Sequence, residues 1–531
     1  MANMNRREFV LMTAGAYGFH AAANGILPSA AREYLTEGLT GMTLSDASRR
    51  LQSGEVTSTH LTQACLNRIK VYNPKINAYI TVMHDEALAQ AAALDSEAKA
   101  GKFRSPLHGI PVALKDIIDT AGTRTTASSA VFDDRVPGED AEVTRRLKQA
   151  GAVIIGKTNL QEFAMMGLSS ASNYFGPVRN PWALDRIPGG SSGGSAAAVV
   201  SDLAFGALGT DTGGSVNIPA AYCNVVGLKP TYGLVSIRGI IPRIYSLDHC
   251  GPLTKTVEDA AMLLNVMVGY DKQDVASVEH PKEDYVAALK QPVSGLRLGI
   301  PRAPFFDHLD DEISKVTEDA LGVLATLVKN IKDDVHMPSS NFFARSGLDG
   351  RSPLDGEVEA FHLQLFQREA GRYSLNVRRQ LDTIQKAMND TTTEGCAQKV
   401  VDYVLANWEL IRLRKTIDDV FTDFDLVVLP TMRVLQRTIN DQLEREEAPK
   451  PSEPMEVSNT GAFNTFGIPA ATIPCGFSAN GLPIGLLIAG PRFSEGRVLA
   501  LADAYEKATK WHTMKPKLTP QMQVPPVTRL S

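Results

Sequence analysis

The amino-acid sequence predicts an α/β protein whose central sheet is covered by helices on both faces. Three observations carry that prediction. Short apolar runs rich in β-branched residues alternate with helix-patterned segments over several hundred residues. Those runs are continuously apolar instead of alternating, which marks strands buried on both faces. The composition, 44% hydrophobic and 21% charged, supplies apolar material for one large core and excludes a disordered chain.

Along the chain, "TLSDASRRLQSGEVTSTHLTQACLNRIK" (43–70) places Leu44, Ala47, Leu51, Leu61, Ala64, Cys65 and Ile69 at helical spacings. Two amphipathic helices joined at Gly54 follow, with Ser45 and either Thr57 or Ser58 as N-caps. "NAYITVM" (77–83), "GIPVALKD" (109–116), "AGAVIIGKTN" (150–159), "FDLVVLPT" (424–431), "AATIPCGF" and "PIGLLIAG" read as buried strands. Residues 305–422 break the rhythm: they are more charged, helical by pattern and interrupted by the polar stretch 339–357. We expect this excursion to fold back over the core, where it either shapes a substrate entrance or stands as a peripheral helical decoration. With no internal repeat, residues 32–531 read as one domain.

Fifty-four basic against 59 acidic side chains give a net charge of -5 without a basic block, which excludes nucleic acid and anionic membrane as partners and favours a small molecule. Cys65, Cys223, Cys250, Cys396 and Cys475 form no CxxC pair, so neither a disulfide framework nor a thiolate metal site is indicated. The N-terminus carries Arg6-Arg7, Phe9 and a mildly apolar run from Val10 to Ala23, with small residues around Ala23 and Ala31. Residues 1–31 are therefore expected to be a twin-arginine-type export signal, placing the mature chain in the periplasm or outside the cell; the alternative is a cytoplasmic protein. The run is too short for a stable membrane span.

The most unusual composition lies in "IPGGSSGGSAAAVVS" (187–201). A flexible linker is excluded by context, because the run flows into an alanine-rich helix pattern and then an apolar strand pattern. A phosphate loop lacks its lysine. Gly189-x-Ser191-x-Gly193 matches the nucleophile elbow formally, but a polar segment with Pro181 and Pro188 replaces the strand the elbow needs. None of His249, His280, His308, His336, His362 and His512 stands in a suggestive setting. A second glycine-serine turn, "GTDTGGSVNIPA" (209–220), places Ser215 24 positions after Ser191, and upstream "GIPVALKD" ends a buried strand on Lys115.

Together these residues resemble the amidase signature family, serine hydrolases built on a Ser-cisSer-Lys triad. The resemblance extends through "PLHGIPVALKD", "GAVIIGKTNLQEFA", "YFGPVRNPW", "PGGSSGGSAAAV", "GTDTGGSVNIPAAYCNVVGLKPTYG", "SLDHCGPLTKTVEDAA" and "FNTFGIPAATIPCGFSANGLPIGLLIAG", covering about 43–510. It implies a central mixed β-sheet between helical layers. It also implies Ser215 as nucleophile, Ser191 as proton relay held in a cis peptide, Lys115 as base, and the amides of Thr212, Gly213, Gly214 and Ser215 as oxyanion hole. Ser192 is expected to support the network by hydrogen bonds, Asp211 among its candidate partners. No metal or organic cofactor is required.

The chemistry fits the spacing. An acyl-enzyme needs an activated hydroxyl, a proton path to the leaving nitrogen and donors for the oxyanion. Lys115 must be desolvated to be neutral, which the apolar "IPVAL" before it would provide. Asp116 should point to the opposite face of the strand, where its charge cannot hold the lysine protonated. The sequence departs from many members in having Asn217 and Ile218 where an arginine commonly follows the nucleophile, which leaves Asp211 without that partner and argues against a substrate carboxylate there. Gln161 stands where an acidic residue is common.

The resulting expectation is an exported amidohydrolase that cleaves a neutral, apolar or aromatic carboxamide and releases ammonia or an amine. Met165, Met166, Tyr245 and Phe463 or Phe466 are candidates for the acyl pocket, each equally readable as core packing. The alternatives are a transamidosome-type glutaminase A subunit, or an esterase or carbamate hydrolase on the same triad. A homodimer is compatible with the resemblance.

Overall fold

The computed structural model describes residues 38–165, 171, 173–338, 354–388, 393–447 and 458–528. The expected export signal (1–31), Met166 and most of the polar stretch 339–357 lie outside the described residues, as does the side chain of Cys396. One eleven-stranded sheet organises the chain. In sequence order its strands are β1 (Tyr79–Val82), β2 (Pro111–Lys115), β3 (Val153–Thr158), β4 (Gly206–Asp211), β5 (Val226–Lys229) and β6 (His249–Thr254). They continue with β7 (Arg297–Ile300), β8 (Asn330–Asp333), β9 (Leu426–Pro430), β10 (Ala470–Phe477) and β11 (Pro483–Ala489).

The spatial order is β1-β3-β2-β4-β6-β5-β10-β11-β9-β7-β8. The trio β3-β2-β4 is parallel, as is β9-β7-β8, whereas β6, β5, β10 and β11 between them run antiparallel to their neighbours. The sheet is mixed, as the resemblance implied. Both faces are covered. On β9, Leu426 and Val428 join the main core with Leu486 and Ile488 of β11, while Val427 and Leu429 join a second core with Leu487, Phe463 and Phe466. Strict alternation of buried residues onto two cores is what a continuously apolar strand requires.

All six strand-like runs in the sequence form strands. The two opening helices, Leu44–Gln52 and Ser58–Ile76, are joined through Gly54 in the left-handed region (φ +76). Thr57 caps the second, accepting from His60 N–H at 3.1 Å. The first is capped by Thr43, not by the expected Ser45: Thr43 Oγ1 accepts from Asp46 N–H at 3.0 Å, and Ser45 is already the second residue of the helix, its N–H donating to Asp259.

The excursion supplies four long helices, Asp311–Leu327, Asp355–Glu369, Leu375–Met388 and Thr393–Thr416, and one exposed edge strand, β8. Its Leu354, Val358, Tyr373, Val377 and Leu410 pack against Leu160, Phe163, Met165, Ile241 and Ile244 from loops at the ends of the central strands. The segment therefore does fold back onto the body. Among the described residues, no helix is long and apolar enough to cross a membrane, and no group of His, Cys, Asp and Glu could hold a metal ion.

Candidate active site

Parallel strands leave their carboxyl ends free for chemistry, and β2 and β4 each end on a polar residue. Lys115 closes β2, and Thr210 and Asp211 close β4. The run from Pro188 into the helix Gly193–Val200 returns Ser191 to the same end, because Ser195 Oγ donates to Leu208 O at 3.0 Å and fixes that helix against β4.

Lys115 is fully buried. Its Nζ donates to Ser191 Oγ at 2.7 Å and Thr210 Oγ1 at 2.8 Å, two neutral partners that do not demand a charge. Burial lowers its pKa from the usual lysine range to about 7, against the opposing charges of Asp211 and Asp248. Asp116 behaves as strand alternation predicts. It accepts from Thr126 N–H (2.8 Å) and Oγ1 (2.5 Å) and lies 3.3 Å from the Nζ of Lys157, a separate buried pair. Asp119 is held by Arg135 at 2.7 and 2.8 Å.

The Gly190–Ser191 peptide is cis, as the resemblance implied. Ser191 O accepts from Gln161 N–H and Ser192 N–H donates to Ser215 O, both at 3.2 Å, so the two glycine-serine turns are bonded through their backbones. Ser215 is 3% exposed, and its Oγ has no hydrogen-bond partner among the described residues. The link from Ser191 to Ser215 is thus not closed by a hydrogen bond in this structure.

Asp211 shapes the nucleophile turn. Its carboxylate accepts from the N–H groups of Gly214 (2.6 Å), Val216 (2.7 Å) and Asn217 (3.3 Å). Gly214, in the left-handed region (φ +125), therefore directs its N–H at Asp211 and drops out of the expected oxyanion set; among the described residues no partner occupies the amides of Thr212, Gly213 and Ser215. Ser192 does not reach Asp211. Its Oγ donates to Thr210 O and accepts from Thr210 N–H, both at 3.2 Å, one residue before Asp211 on β4.

The partner that replaces the missing arginine is Asn464, whose Nδ2 donates to Asp211 Oδ1 at 2.8 Å and to Asp211 O at 3.1 Å. The segment "FNTFG" carries no sign of this role, because no local pattern connects residues 253 positions apart. His249, for which the sequence suggests no catalytic role, is buried with Nδ1 3.2 Å from Asp211 O and 2.7 Å from Leu247 O. Burial and the charges of Lys229 and Arg414 push its pKa well down, so it is a neutral packing group.

Asn217 and Ile218 are both buried. Asn217 Oδ1 accepts from Thr472 Oγ1 at 3.0 Å, and Ile218 packs with Ile187, Tyr222 and Met432. Met165 is buried in one smaller core and Phe463 and Phe466 in another, and Tyr245 Oη donates to Asp274 at 2.5 Å. Core packing accounts for Met165, Phe463 and Phe466, while Tyr245 is partly buried and tied to Asp274.

The Amidase family model matches residues 60–499. The A subunit of a glutamyl-tRNA(Gln) amidotransferase from Roseiflexus sp. is 38% identical, over 90% of this chain and 98% of its own. The solved A subunit of the corresponding Thermotoga maritima amidotransferase shares 32% identity at a TM-score of 0.72, with 90% and 97% coverage. The native peptide amidase from Stenotrophomonas maltophilia shares 33% at a TM-score of 0.74, with 88% and 97% coverage. A chain with this motif order, this mixed sheet and these full-length relatives belongs to the amidase signature family.

Proposed function

We propose that the protein hydrolyses a linear carboxamide through an acyl-enzyme on Ser215. The observation that carries this reading is the contact of Lys115 Nζ with Ser191 Oγ, made by a lysine whose burial brings its pKa to about 7. Neutral Lys115 takes the Ser191 proton while Ser191 takes that of Ser215, whose Oγ bonds to the amide carbon. The carbonyl oxygen becomes an oxyanion facing the N–H groups of Thr212, Gly213 and Ser215. As the C–N bond breaks, the lysine ammonium returns its proton through Ser191 to the leaving nitrogen. Water then attacks the ester by the same proton path and releases the acid.

A neutral, apolar acyl group draws no support from the described pocket candidates. The relatives named as amidotransferase A subunits favour a second reading, in which the amide is that of glutamine and the ammonia passes to a partner protein. That assignment would make the protein cytoplasmic and leaves export without support from the relatives. The peptide amidase likeness favours a chain that works alone.

Intact-mass spectrometry after a fluorophosphonate probe tests the chemistry. One adduct on Ser215, lost in Ser215→Ala and slowed in Lys115→Ala, is expected; an adduct on Ser191 or Ser192 that survives Ser215→Ala overturns the assignment. Assaying the purified chain on glutamine, peptide amides, esters and carbamates then separates the readings, because a component of a complex needs its partners for full turnover.

A further inference from the structure

The loop from Arg238 to Asp248 spans the site from the lysine to the nucleophile turn. Just beyond Lys115, Ile241 N–H donates to Ile117 O at 2.9 Å and Asp119 N–H donates to Gly239 O at 3.0 Å. At its other end, Asp248 accepts from Thr212 Oγ1 at 2.6 Å, beside the expected oxyanion amides. Ile241, Ile244 and Leu247 bury themselves among Leu160, Phe163 and Met165, whereas Arg243 between them is only partly buried. Its backbone is fixed, since Arg243 N–H donates to Asp248 Oδ2 at 2.8 Å.

The guanidinium of Arg243 makes no hydrogen bond or ion pair among the described residues. The carboxylates whose charges reach it are Asp248 and Asp355. Asp248 is already engaged by Thr212 and by the N–H groups of Arg243 and Ile244. Nearby Glu357 accepts from Ser246 N–H at 2.9 Å and Tyr403 Oη at 3.2 Å. The positive charge of Arg243 is nevertheless felt at Lys115. A partly desolvated guanidinium without an acceptor is costly, and its planar fork matches a carboxylate held by two parallel bonds.

We propose that Arg243 is a specificity-determining residue and that the acyl portion of the substrate carries a carboxylate, which the guanidinium holds while Ser215 faces the amide carbon. The proposal rests on the acyl-enzyme reading above and names its substrate class. It places the carboxylate at Arg243 and not beside Asn217 and Ile218, both of which are buried.

The test measures binding of succinamate and glutaramate, against neutral butanamide and pentanamide, to the Ser215→Ala protein by calorimetry, with wild-type turnover of the same four amides in parallel. At least one carboxylated amide should bind tenfold or more tightly than its neutral counterpart. Arg243→Gln in that background should erase the difference, and Arg243→Lys, which keeps the charge without the fork, should retain part of it. Unchanged thermal midpoints in both variants establish that the fold is intact. Equal binding of charged and neutral amides, or a preference that survives Arg243→Gln, overturns the proposal. A preference that depends on Arg243, in a wild type that turns over none of the amides and takes no probe on Ser215, leaves the anion site standing and removes the acyl-enzyme reading.

Discussion

Lys115 Nζ sits 2.7 Å from Ser191 Oγ in a fully buried position, so protonation of one amine governs the proposed proton path. Burial holds that pKa near 7, and only the neutral amine can accept a proton. The pH profile of kcat/KM should therefore rise about tenfold per unit at low pH and level off above about 7. Asp248 raises the lysine pKa and Arg243 lowers it, so Asp248→Asn should move the midpoint down and Arg243→Gln should move it up. Lys115→Ala should lower kcat by about 10²–10⁴-fold. A flat profile from pH 5 to 9 would exclude Lys115 as the base.

Asn464 supports the nucleophile turn from behind. Its donation to Asp211 leaves the carboxylate free to accept three amides of that turn. Asn464→Ala should reduce kcat roughly tenfold to a hundredfold with little change in KM, since a displaced nucleophile costs rate more than binding. Asn464→Asp should be worse, because a second carboxylate beside Asp211 repels it. Steady-state kinetics of both variants, with equal thermal midpoints for the alanine protein, check this; an active Asn464→Asp enzyme contradicts it.

Adjacent glycines should respond oppositely to alanine. A Cβ on Gly214 would overlap Thr460 Oγ1 in a left-handed backbone conformation, whereas a Cβ on Gly213 meets nothing within 4 Å. Gly214→Ala should break the turn and reduce kcat by about 10²-fold or more, and Gly213→Ala should stay within about tenfold of wild type. Comparing their fluorophosphonate labelling rates at Ser215 reads the difference directly.

The chemistry-bearing motifs were legible because each is local: a lysine at a strand end, two glycine-serine turns, and apolar runs long enough to reveal β1, β2, β3, β4, β9, β10 and β11. The remaining strands give weaker signals. β8, "NIKD", is an edge strand exposed at all four residues, and β6, "HCGPLT", carries glycine and proline. Long-range partnerships such as Asn464 with Asp211 leave no pattern in a single sequence. The expected bond from Ser192 to Asp211 failed for a geometric reason: Ser192 faces the end of β4 one residue earlier, at Thr210. Arg243 carries no sequence signal because an isolated arginine in a loop ordinarily faces water.

The buried pair beside the site makes a stability prediction. Lys157 Nζ lies 3.3 Å from Asp116 Oδ1 with both side chains fully buried, and burial pushes the Asp116 carboxyl up and the Lys157 amine down. Thr125 and Thr126 complete the network, Lys157 donating to Thr125 Oγ1 at 2.5 Å and Thr126 to Asp116. Removing one partner leaves an uncompensated buried group, so Lys157→Met should destabilise by about 3–5 kcal/mol, and Asp116→Asn should lie in the same direction. The double variant Asp116→Asn with Lys157→Met should cost less than the sum of the two, since neither charge is then left alone. Denaturation midpoints of the four proteins decide the matter, and strict additivity would show that the two side chains do not act as a pair.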